Sequence, residues 1–542
     1  MNAEQMPNVT IRAWSTWTLL LFIAGVITMG SVHAQGMHTD ANADPIQWGA
    51  CPPSPIGLPD AGQQCSVLLL PLDYRAPAGQ TINIAISRIK AANPSLRRGV
   101  LLLNPGGPGG SGIDLPREFT ILLPQAVLDQ YDLIGFDPRG VGRSTPLTCG
   151  LTPTEAIEAY SPLEQPGGFS ATAAFAHNVA DDCTASTGAV LPFITTANTA
   201  RDMDQIRQAL GEAKISYLGY SYGTYLGAVY SSLFTSHTDR VVLDSSVDPS
   251  WLWRQQFREW GPGGELRFPD FANFAAANDE TYHLGQTPAQ IYDVYFQLIN
   301  SLYKNPITFP DGTVFNAPMF RELLFAVLYD DSDFPALAPL WQVLKDSPGD
   351  TVAVQHALQI VDPPSPPVPG VPSDNMAASG LAVLCGDIAW SHLIDQYQAE
   401  FNLDSLLFPI FGPLGSNIWS CAFWPTPPIE PPVTITSDGP GNILMVQDIR
   451  DPAAPYWGAL GMHAALGQRS RIVSVDQGGH GVYAFKHNVC ANDTTTVFLV
   501  DGVFPNNDVF CPAESGSPTA AMLNSQTKDQ VIRELLRQMK FK

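Results

Sequence analysis

One pentapeptide places a serine where its hydroxyl could act as a nucleophile. Gly219-Tyr220-Ser221-Tyr222-Gly223 is the only GxSxG sequence in the chain. A strand-like apolar run precedes it, and a helix-like run, 222–233, follows it. This strand–turn–helix setting exposes the serine hydroxyl, and the helix N-terminus favours developing negative charge. The pattern therefore favours a nucleophilic Ser221 over a plain turn between a strand and a helix.

A serine hydroxyl also needs a base, and the base needs a carboxylate that orients it. His480 lies in a Gly-Gly-His-Gly sequence just after the last strand-like run, and Asp451 follows the preceding run. The carboxyl ends of neighbouring parallel strands meet at one edge of a sheet. The order Ser, Asp, His is the one expected after such a serine. We therefore predict a catalytic triad of Ser221, Asp451 and His480.

Two other carboxylates compete with Asp451 for the acid position. Asp244 ends the sixth strand-like run, a place from which some hydrolases supply the acid, and Asp448 lies beside Asp451. The order of the strand-like runs does not exclude Asp244 or Asp448 as the acid of the triad, but Asp451 is preferred.

Backbone donors for an oxyanion are predicted in the glycine-rich loop 104–110, Asn-Pro-Gly-Gly-Pro-Gly-Gly. The loop follows the strand-like run 99–103, where a sheet of this kind places its second donor. Residues without side chains let backbone N–H groups approach a tetrahedral oxyanion. We assign the donors to Gly107 and to Tyr222, the residue after the nucleophile. A phosphate-binding loop is disfavoured, since the sequence fits neither the Walker A nor the GxGxxG pattern.

Short β-rich runs alternate with helical patterns along the part of the chain that carries the candidate catalytic residues. This alternation predicts an α/β fold class with a mostly parallel sheet. Six strands are predicted at 66–74, 81–90, 99–103, 132–136, 215–219 and 240–243, and two more at 443–446 and 471–475. A helix is predicted at 200–210, with Thr199 as its N-cap and Gly211 as its stop. An amphipathic helix is predicted to close the chain at 528–539.

The alternation stops after Pro249, and residues 251–435 carry helical patterns and proline-dense connectors instead. The simplest interpretation is one sheet interrupted by a large helical lid, 251–435, inserted after the sixth recognised strand. The core then consists of residues 35–250 and 436–542. Together with the serine motif, this order predicts the α/β-hydrolase fold.

The first 34 residues are predicted to be a signal peptide. Arg12 precedes an apolar stretch, 17–29, and Val32-His33-Ala34 offers a cleavage site with small residues. The stretch is short for a membrane span, so an uncleaved anchor is the less favoured alternative. We expect secretion to an extracellular or periplasmic location and no membrane span in the mature chain.

An exported chain with eight cysteines is expected to contain disulfides. Pairing of sequence neighbours suggests Cys51–Cys65, Cys149–Cys183, Cys385–Cys421 and Cys490–Cys511. No cysteine or histidine cluster has zinc spacing, so no metal site is expected.

The chain is acidic, with 28 Lys and Arg against 51 Asp and Glu and a formal net charge of -23. No run of basic residues offers a surface for phosphates, so we expect no nucleic-acid partner. Hydrophobic residues make up 45% of the chain, which is enough for a sizeable core. We expect a monomer.

Several motifs together resemble one family. These are NPGGPGGSG from residue 104, DPRGVGRS at 137–144, the stretch containing YLGYSYGTYLG, VLDSSVDP at 242–249, and the final GGHG. They resemble the secreted tripeptidyl aminopeptidases, α/β-hydrolases related to proline iminopeptidases, as does the C-terminal part from Ile443 onward. The resemblance supports Ser221, Asp451 and His480 and favours Asp451 over Asp244. The chain departs from the family's Gly-x-x-Asp-Pro-x-Thr-Pro stretch, since Asp448 replaces the glycine and Ala454 the threonine.

The resemblance implies an exopeptidase that releases short peptides, of three residues, from free N-termini through an acyl-enzyme and without a cofactor. Its partners would be peptide substrates with a free N-terminus. A carboxylesterase or lipase using the same triad is the second hypothesis, and a binding protein without catalytic activity is the third. The intact triad argues against the third, but fold alone does not separate the first two.

An aminopeptidase must hold the substrate's ammonium group, and a buried ammonium needs a carboxylate partner. The related iminopeptidases imply an acid of the lid. The candidates are Glu259, Asp270, Asp279, Glu280 and Asp387. Asp387 is favoured because its surroundings are apolar and a disulfide from Cys385 to Cys421 would hold its backbone. The alternative is that Asp387 caps the following helix or pairs with an arginine of the lid.

Overall fold

The computed structural model describes residues 46–364, 366–514 and 525–539. The predicted signal peptide, 1–34, lies outside these residues. The described strands are β1 Gly49–Ala50, β2 Gln64–Pro71, β3 Thr81–Ile89, β4 Gly99–Asn104, β5 Tyr131–Phe136, β6 Ile215–Tyr220, β7 Thr238–Asp244, β8 Ile307–Thr308, β9 Val314–Phe315, β10 Ile443–Arg450, β11 Ser470–Gly478 and β12 Val509–Cys511.

The helices lie between and beyond these strands. Those of the first part are α1 Leu115–Leu122, α2 Gln125–Leu128, α3 Pro153–Tyr160, α4 Phe169–Thr187, α5 Thr196–Ala209 and α6 Tyr222–Leu233. Those between β7 and β10 are α7 Arg254–Arg258, α8 Trp260–Ala277, α9 Asp279–Tyr282, α10 Pro288–Lys304, α11 Ala317–Val327, α12 Phe334–Asp346, α13 Thr351–Val361, α14 Asn375–Asp387, α15 Ile394–Leu407 and α16 Gly412–Gly415. The last are α17 Tyr456–Leu466, α18 Val489–Asp501 and α19 Ser525–Met539.

Ten strands form one sheet in the order β1-β2-β3-β5-β4-β6-β7-β10-β11-β12. The pairs from β5 to β12 are parallel, and the three pairs at the other edge are antiparallel. All residues of β4 and β6 are buried, because a central parallel strand is covered by helices on both faces. The mostly parallel α/β-hydrolase sheet predicted from the sequence is confirmed.

The parallel order brings five loops to one edge of the sheet. Strands β4, β6, β7, β10 and β11 are neighbours, and each runs in the same direction. Their carboxyl ends lead into the glycine-rich loop, Ser221, Ser245, Asp451 and Gly479. The candidate catalytic residues therefore share the edge at which α/β sheets place their sites.

The segment between β7 and β10 contains helices α7 to α16 and the small antiparallel pair β8–β9. The predicted lid, 251–435, falls within this segment. Aromatic rings pack inside it: the ring centroids of Phe257 and Trp419 are 4.1 Å apart, and those of Phe271 and Trp341 are 4.9 Å apart.

One helix begins earlier than the sequence predicts. Helix α5 starts at Thr196, and the side chain of Thr195 accepts the capping hydrogen bond from Asn198 N–H. Thr199 lies inside the first turn, and its hydroxyl donates to the carbonyl oxygen of Thr195 at 3.0 Å. The predicted cap at Thr199 is therefore wrong, because an equally good capping residue stands one turn earlier.

Four disulfides join the cysteines as sequence neighbours: Cys51–Cys65, Cys149–Cys183, Cys385–Cys421 and Cys490–Cys511. No cysteine is free in the part of the chain that the structure describes. The same part includes no helix long and apolar enough to cross a membrane.

Candidate active site

Ser221 lies on a strained turn between β6 and α6. Its backbone angles are φ 56° and ψ -125°, in a region that residues with a side chain rarely occupy. The turn is held because Ser221 N–H donates to the carbonyl oxygen of Asp244 at 3.0 Å. The side chain lies at the N-terminus of α6, where the helix dipole favours negative charge. The geometry is that of a nucleophile-bearing turn.

His480 is hydrogen-bonded to Asp451 in the buried interior of this edge. His480 Nδ1 lies 2.9 Å from Asp451 Oδ2 and 3.0 Å from Oδ1, and both side chains are fully buried. Because a carboxylate accepts hydrogen bonds, this contact places the imidazole proton on Nδ1. His480 Nε2 is buried and bonds to no group among the described residues, Ser221 included. The contact therefore leaves Nε2 with a lone pair able to accept a proton.

The carboxylate of Asp451 is oriented by its own turn. Oδ1 accepts hydrogen bonds from Ala453 N–H and Ala454 N–H, each at 2.9 Å. Gln447 Nε2 donates to Oδ2 at 3.3 Å. Ala454 makes its contact through the backbone, so the replacement of the family's threonine leaves this hydrogen bond in place.

Asp244 contacts the loop that carries His480 and not the imidazole. Its carboxylate accepts hydrogen bonds from Val482 N–H at 3.0 Å and from Tyr483 N–H at 2.7 Å. Burial raises the pKa of Asp244 to about 8. Ser245 hydroxyl accepts from Gly481 N–H at 2.8 Å. The end of β7 thus fixes the path of the chain just after His480.

Asp448, the second rival acid, forms an ion pair with Lys486, whose Nζ lies 3.1 Å from Asp448 Oδ2. The same ammonium donates to the carbonyl oxygen of Gly478 at 2.6 Å. Burial raises the pKa of Asp448 to about 6. Asp448 therefore acts on the loop before His480, through Lys486, and makes no hydrogen bond to the imidazole.

A residue between β7 and β10 also contacts His480. Tyr329 follows α11, and its carbonyl oxygen accepts a hydrogen bond from His480 N–H at 2.9 Å. The two rings meet edge to face, with centroids 4.7 Å apart. Sequence reasoning missed Tyr329, since nothing in its local pattern indicates a contact 151 residues further along the chain.

The glycine-rich loop lies directly against the turn at Ser221. Gly106 has φ 100°, and a Cβ atom there would lie 2.5 Å from the carbonyl oxygen of Tyr220. Only glycine allows this approach. Gly106 N–H donates to Asn104 Oδ1 at 3.1 Å, and the next amide belongs to Gly107. The buried hydroxyl of Tyr160 donates to the carbonyl oxygen of Pro108 and holds the loop from the other side.

Tyr222, the other predicted donor, is the first residue of α6, so its N–H has no acceptor within the helix. Its side chain extends away from the turn, and the hydroxyl lies 2.7 Å from Thr196 Oγ1. Gly107, Ser221 and Tyr222 all line one small cavity of about 20 Å³. The structure thus brings both predicted oxyanion residues to the nucleophile.

Asp387 lies behind the wall of this cavity. Its carboxylate accepts hydrogen bonds from Thr196 N–H at 2.7 Å, from Thr196 Oγ1 at 2.6 Å and from Trp253 Nε1 at 3.2 Å. Burial raises the pKa of Asp387 to about 6. It therefore caps α5, and neither the following helix nor an arginine of the predicted lid takes its oxygens.

The other predicted anchor residues lie elsewhere. Glu259 accepts from Trp457 Nε1 at 2.9 Å, and Asp270 pairs with Arg450 at 3.0 Å. Asp279 accepts from Gly285 N–H at 2.7 Å, and Glu280 is exposed on α9. Glu322 is not among the anchor residues predicted from the sequence. It lines a second small cavity, of about 10 Å³, together with Tyr329 and Trp260, and Trp260 also lines the cavity at Ser221.

The fold and this site define the class of protein. A serine on a strained strand-to-helix turn and a histidine paired with an aspartate lie at the carboxyl edge of a mostly parallel sheet. The chain is a serine hydrolase of the α/β-hydrolase fold. No group of three or more His, Cys, Asp or Glu in the described ranges is arranged to hold a metal ion.

Comparison with known proteins gives the family. A model of the alpha/beta hydrolase fold matches residues 99–336, and one of TAP-like proteins matches residues 409–511. The chain is 36% identical over 490 residues to a tripeptidyl aminopeptidase of Streptomyces lividans, with 86% of each chain covered. It belongs to the tripeptidyl aminopeptidase family, which confirms the resemblance of its motifs.

Two further relatives carry different names. The serine protease Hip1 of Mycobacterium tuberculosis is 28% identical over 525 residues, which cover 91% of this chain and 97% of the relative. A carboxylesterase B of the same species is 29% identical over 473 residues, which cover 83% and 86%. The relatives therefore include both peptidases and an esterase.

Proposed function

We propose that this chain is a secreted serine exopeptidase that releases tripeptides from free N-termini through an acyl-enzyme. The observation that carries the proposal is the buried His480–Asp451 pair at the same edge of the sheet as the strained turn at Ser221. Membership of the family supports a peptide substrate. Four disulfides support an oxidising destination, in keeping with the proposed signal peptide at 1–34.

The first chemical step forms the acyl-enzyme. Ser221 Oγ attacks the carbonyl carbon of the third residue while His480 Nε2 takes its proton. Asp451 holds the Nδ1–H tautomer and stabilises the imidazolium. The negative charge on the carbonyl oxygen is stabilised by the N–H groups of Gly107 and Tyr222. Collapse breaks the C–N bond, and His480 gives its proton to the departing amine.

The second step reverses these roles. A water molecule loses a proton to His480 Nε2 and attacks the ester carbon on Ser221. The oxyanion occupies the same donors, the Oγ–C bond breaks, and His480 returns the proton to Ser221. The chain's own residues supply every proton transfer in this sequence, and no cofactor takes part.

The helices between β7 and β10 act as the lid in this proposal. Tyr329 joins the lid to His480 through its carbonyl oxygen and its ring. A substrate on Ser221 would therefore be enclosed between the sheet edge and the lid, where water is excluded and electrostatic interactions strengthen.

The ammonium of the substrate needs a carboxylate, and two residues are proposed. Asp387 keeps one free lone-pair direction after its three hydrogen bonds, but Trp253 separates it from the cavity at Ser221. Glu322 lines the second cavity, and Trp260 lines both cavities. A chain that runs from Ser221 past Trp260 would end near Glu322. We favour Glu322 as the carboxylate that binds the ammonium. Asp387 then supports the wall of the cavity at Ser221.

Paired substrates test the peptidase proposal. A free tripeptide anilide, its N-acetylated form and a simple acetate ester should be compared in kcat/KM. The free tripeptide should exceed the acetylated form by at least about 100-fold, because an ammonium–carboxylate contact in a buried site is charge-assisted. Equal rates for both peptides would refute the exopeptidase proposal.

Two variants test which carboxylate binds the ammonium of the substrate. The quantity compared is the ratio of kcat/KM for the free tripeptide to kcat/KM for the ester. Glu322→Gln should lower this ratio at least about tenfold, whereas Asp387→Asn should change both rates together. A lower ratio in Asp387→Asn alone would restore Asp387 as the anchor. A ratio unchanged in both would remove the two residues from amine binding.

A carboxylesterase is the second candidate function. The 29% identical relative named carboxylesterase B favours it, and the triad chemistry is the same for an ester. Rapid ester hydrolysis without cleavage of either peptide would select this function.

A further inference from the structure

The turn at 137–144, which follows β5, begins with a buried carboxylate. Asp137 is fully buried, and one of its oxygens, Oδ1, accepts three hydrogen bonds from consecutive residues. The donors are the hydroxyl of Ser111 at 2.6 Å, Gly112 N–H at 3.0 Å and Ile113 N–H at 3.1 Å. This segment, 111–113, directly follows the glycine-rich loop 104–110. Asp137 therefore holds the end of the loop that carries the predicted oxyanion donor Gly107.

The second oxygen of Asp137 ties the carboxylate to its own turn. Oδ2 accepts a hydrogen bond from Arg143 N–H at 2.7 Å. Gly142 has φ 53°, and a Cβ atom there would lie 2.3 Å from Oδ2, so the turn closes on the carboxylate only because this residue is glycine. The hydroxyl of Ser144 donates to the carbonyl oxygen of Asp137 at 2.6 Å. All four contacts of the side chain are accepted by oxygen, which suits an ionised carboxylate.

A residue of α14 holds the same turn from outside. Asn375 Oδ1 accepts a hydrogen bond from Gly142 N–H at 2.8 Å. Asn375 Nδ2 donates to the carbonyl oxygens of Gly140 and Leu147, each at 2.8 Å. The turn is thus fixed independently of the glycine-rich loop, and Asp137 is a rigid point to which the loop is attached.

Gly107 lies between two anchors of the loop. Asn104 Oδ1 accepts from Gly106 N–H at the start of the loop, and Asp137 holds the segment that begins at Ser111. Gly110 N–H donates to the carbonyl oxygen of Gly106 at 3.3 Å and closes a turn around Gly107. A shift of segment 111–113 would therefore reach Gly107 through a single short turn. An oxyanion donor acts only at hydrogen-bond distance, so a small displacement is costly.

We propose that Asp137 is a positioning residue for the oxyanion donor at Gly107. Its carboxylate fixes segment 111–113 and thereby sets the distance between Gly107 N–H and the carbonyl oxygen of the bound substrate. Asp137 acts through the loop and not on the substrate. This assignment rests on the roles of Ser221 and Gly107 in the proposed function, but it applies to esters and peptides alike.

Two variants weaken the attachment to different degrees. Ser111→Ala removes one of the three donors, and Asp137→Ala removes the acceptor of all three. We expect kcat on an ester to fall about tenfold in Ser111→Ala and about 100-fold in Asp137→Ala, with KM little changed, because the oxyanion forms only after the substrate is bound. Ser405→Ala is the matched control, since its hydroxyl also donates to a carbonyl oxygen, that of Phe401 on α15, at 2.6 Å. It should keep the parental kcat.

A matched pair of ester and thionoester separates positioning of the oxyanion donor from a general structural loss. The thionoester has sulfur in place of the carbonyl oxygen, and sulfur is a larger atom and a weaker acceptor. The parent enzyme should prefer the ester strongly. In each variant the ratio of ester kcat to thionoester kcat should fall by about the same factor as the ester kcat, because the donor that distinguishes the two atoms is displaced.

A structural loss lowers both rates equally and leaves this ratio unchanged. An unchanged ratio in Ser111→Ala and Asp137→Ala, or an unchanged kcat in both, would overturn the proposal, as would a parental ratio near one. If Asp137→Ala does not fold, Ser111→Ala decides alone by the same criteria. If the esters follow these expectations and the peptides are not cleaved, the positioning role of Asp137 stands and the exopeptidase proposal fails.

Discussion

Replacing Asp451 by asparagine alters the tautomer of His480 without removing any bulk. Oδ1 of Asp451 accepts from Ala453 N–H and Ala454 N–H, and Oδ2 is the oxygen slightly nearer to His480 Nδ1, at 2.9 Å against 3.0 Å for Oδ1. The asparagine oxygen must stay with the two backbone donors, because an NH₂ group there would face both of them. Its NH₂ group then faces His480 Nδ1.

An NH₂ group donates, so His480 Nδ1 must accept, and the imidazole proton moves to Nε2. His480 can then no longer take the proton of Ser221. A wrong tautomer in such a triad costs about four orders of magnitude in kcat, which is about 5.5 kcal/mol in the activation free energy. We expect this loss for Asp451→Asn, with a KM that changes little.

Steady-state kinetics of three variants measures the effect on whichever substrate the parent turns over. Asp244→Asn and Asp448→Asn are the controls, since these carboxylates contact backbone N–H groups and Lys486 and not the imidazole. They should lose far less activity. If Asp244→Asn were the severe variant, or Asp451→Asn kept more than about a tenth of the parental kcat, the assignment of the acid would be wrong.

Three further predictions concern disulfides, the buried carboxyl and the oxyanion loop. Thiol titration of the denatured, unreduced protein should detect no free thiol, and two or more would contradict the four disulfides. The pKa of Asp387 is raised from 3.8 to about 6, so the folded state holds this proton more tightly and stability falls as pH rises from about 4 to about 6, by about 3 kcal/mol. Because Asp244 and Asp448 also have raised pKa values, urea unfolding at several pH values should show a fall in stability that is smaller by this amount in Asp387→Asn than in the parent, and parallel curves would refute it. Tyr160→Phe removes the hydroxyl that holds Pro108 and should lower kcat about tenfold with KM little changed. An unchanged kcat would exclude this positioning role.

The sequence predicts the main strands well, and it nominates the catalytic candidates that the structure brings to one edge of the sheet, because both depend on local pattern. Strands β4 and β6 are buried on both faces and appear as continuous apolar runs. The GxSxG motif consists of residues that neighbour Ser221 in the sequence, so it can be recognised without the structure. Chain order then limits the choice of acid and base, and parallel pairing places them at one edge.

Contacts between distant segments could not be predicted in the same way. Asp387 caps a helix that begins 191 residues earlier, and its apolar neighbours in sequence give no sign of that partner. Thr195 and Thr199 are equivalent caps by residue type, so tertiary packing decides between them.

Covalent labelling tests the nucleophile most directly. The folded enzyme is incubated with a serine-directed phosphonate, digested and analysed by mass spectrometry. We predict a single adduct on the peptide that contains Ser221, and none in a folded Ser221→Ala variant, whose turnover should fall by several orders of magnitude. An adduct on another serine, or normal activity in Ser221→Ala, would contradict the proposed catalytic triad.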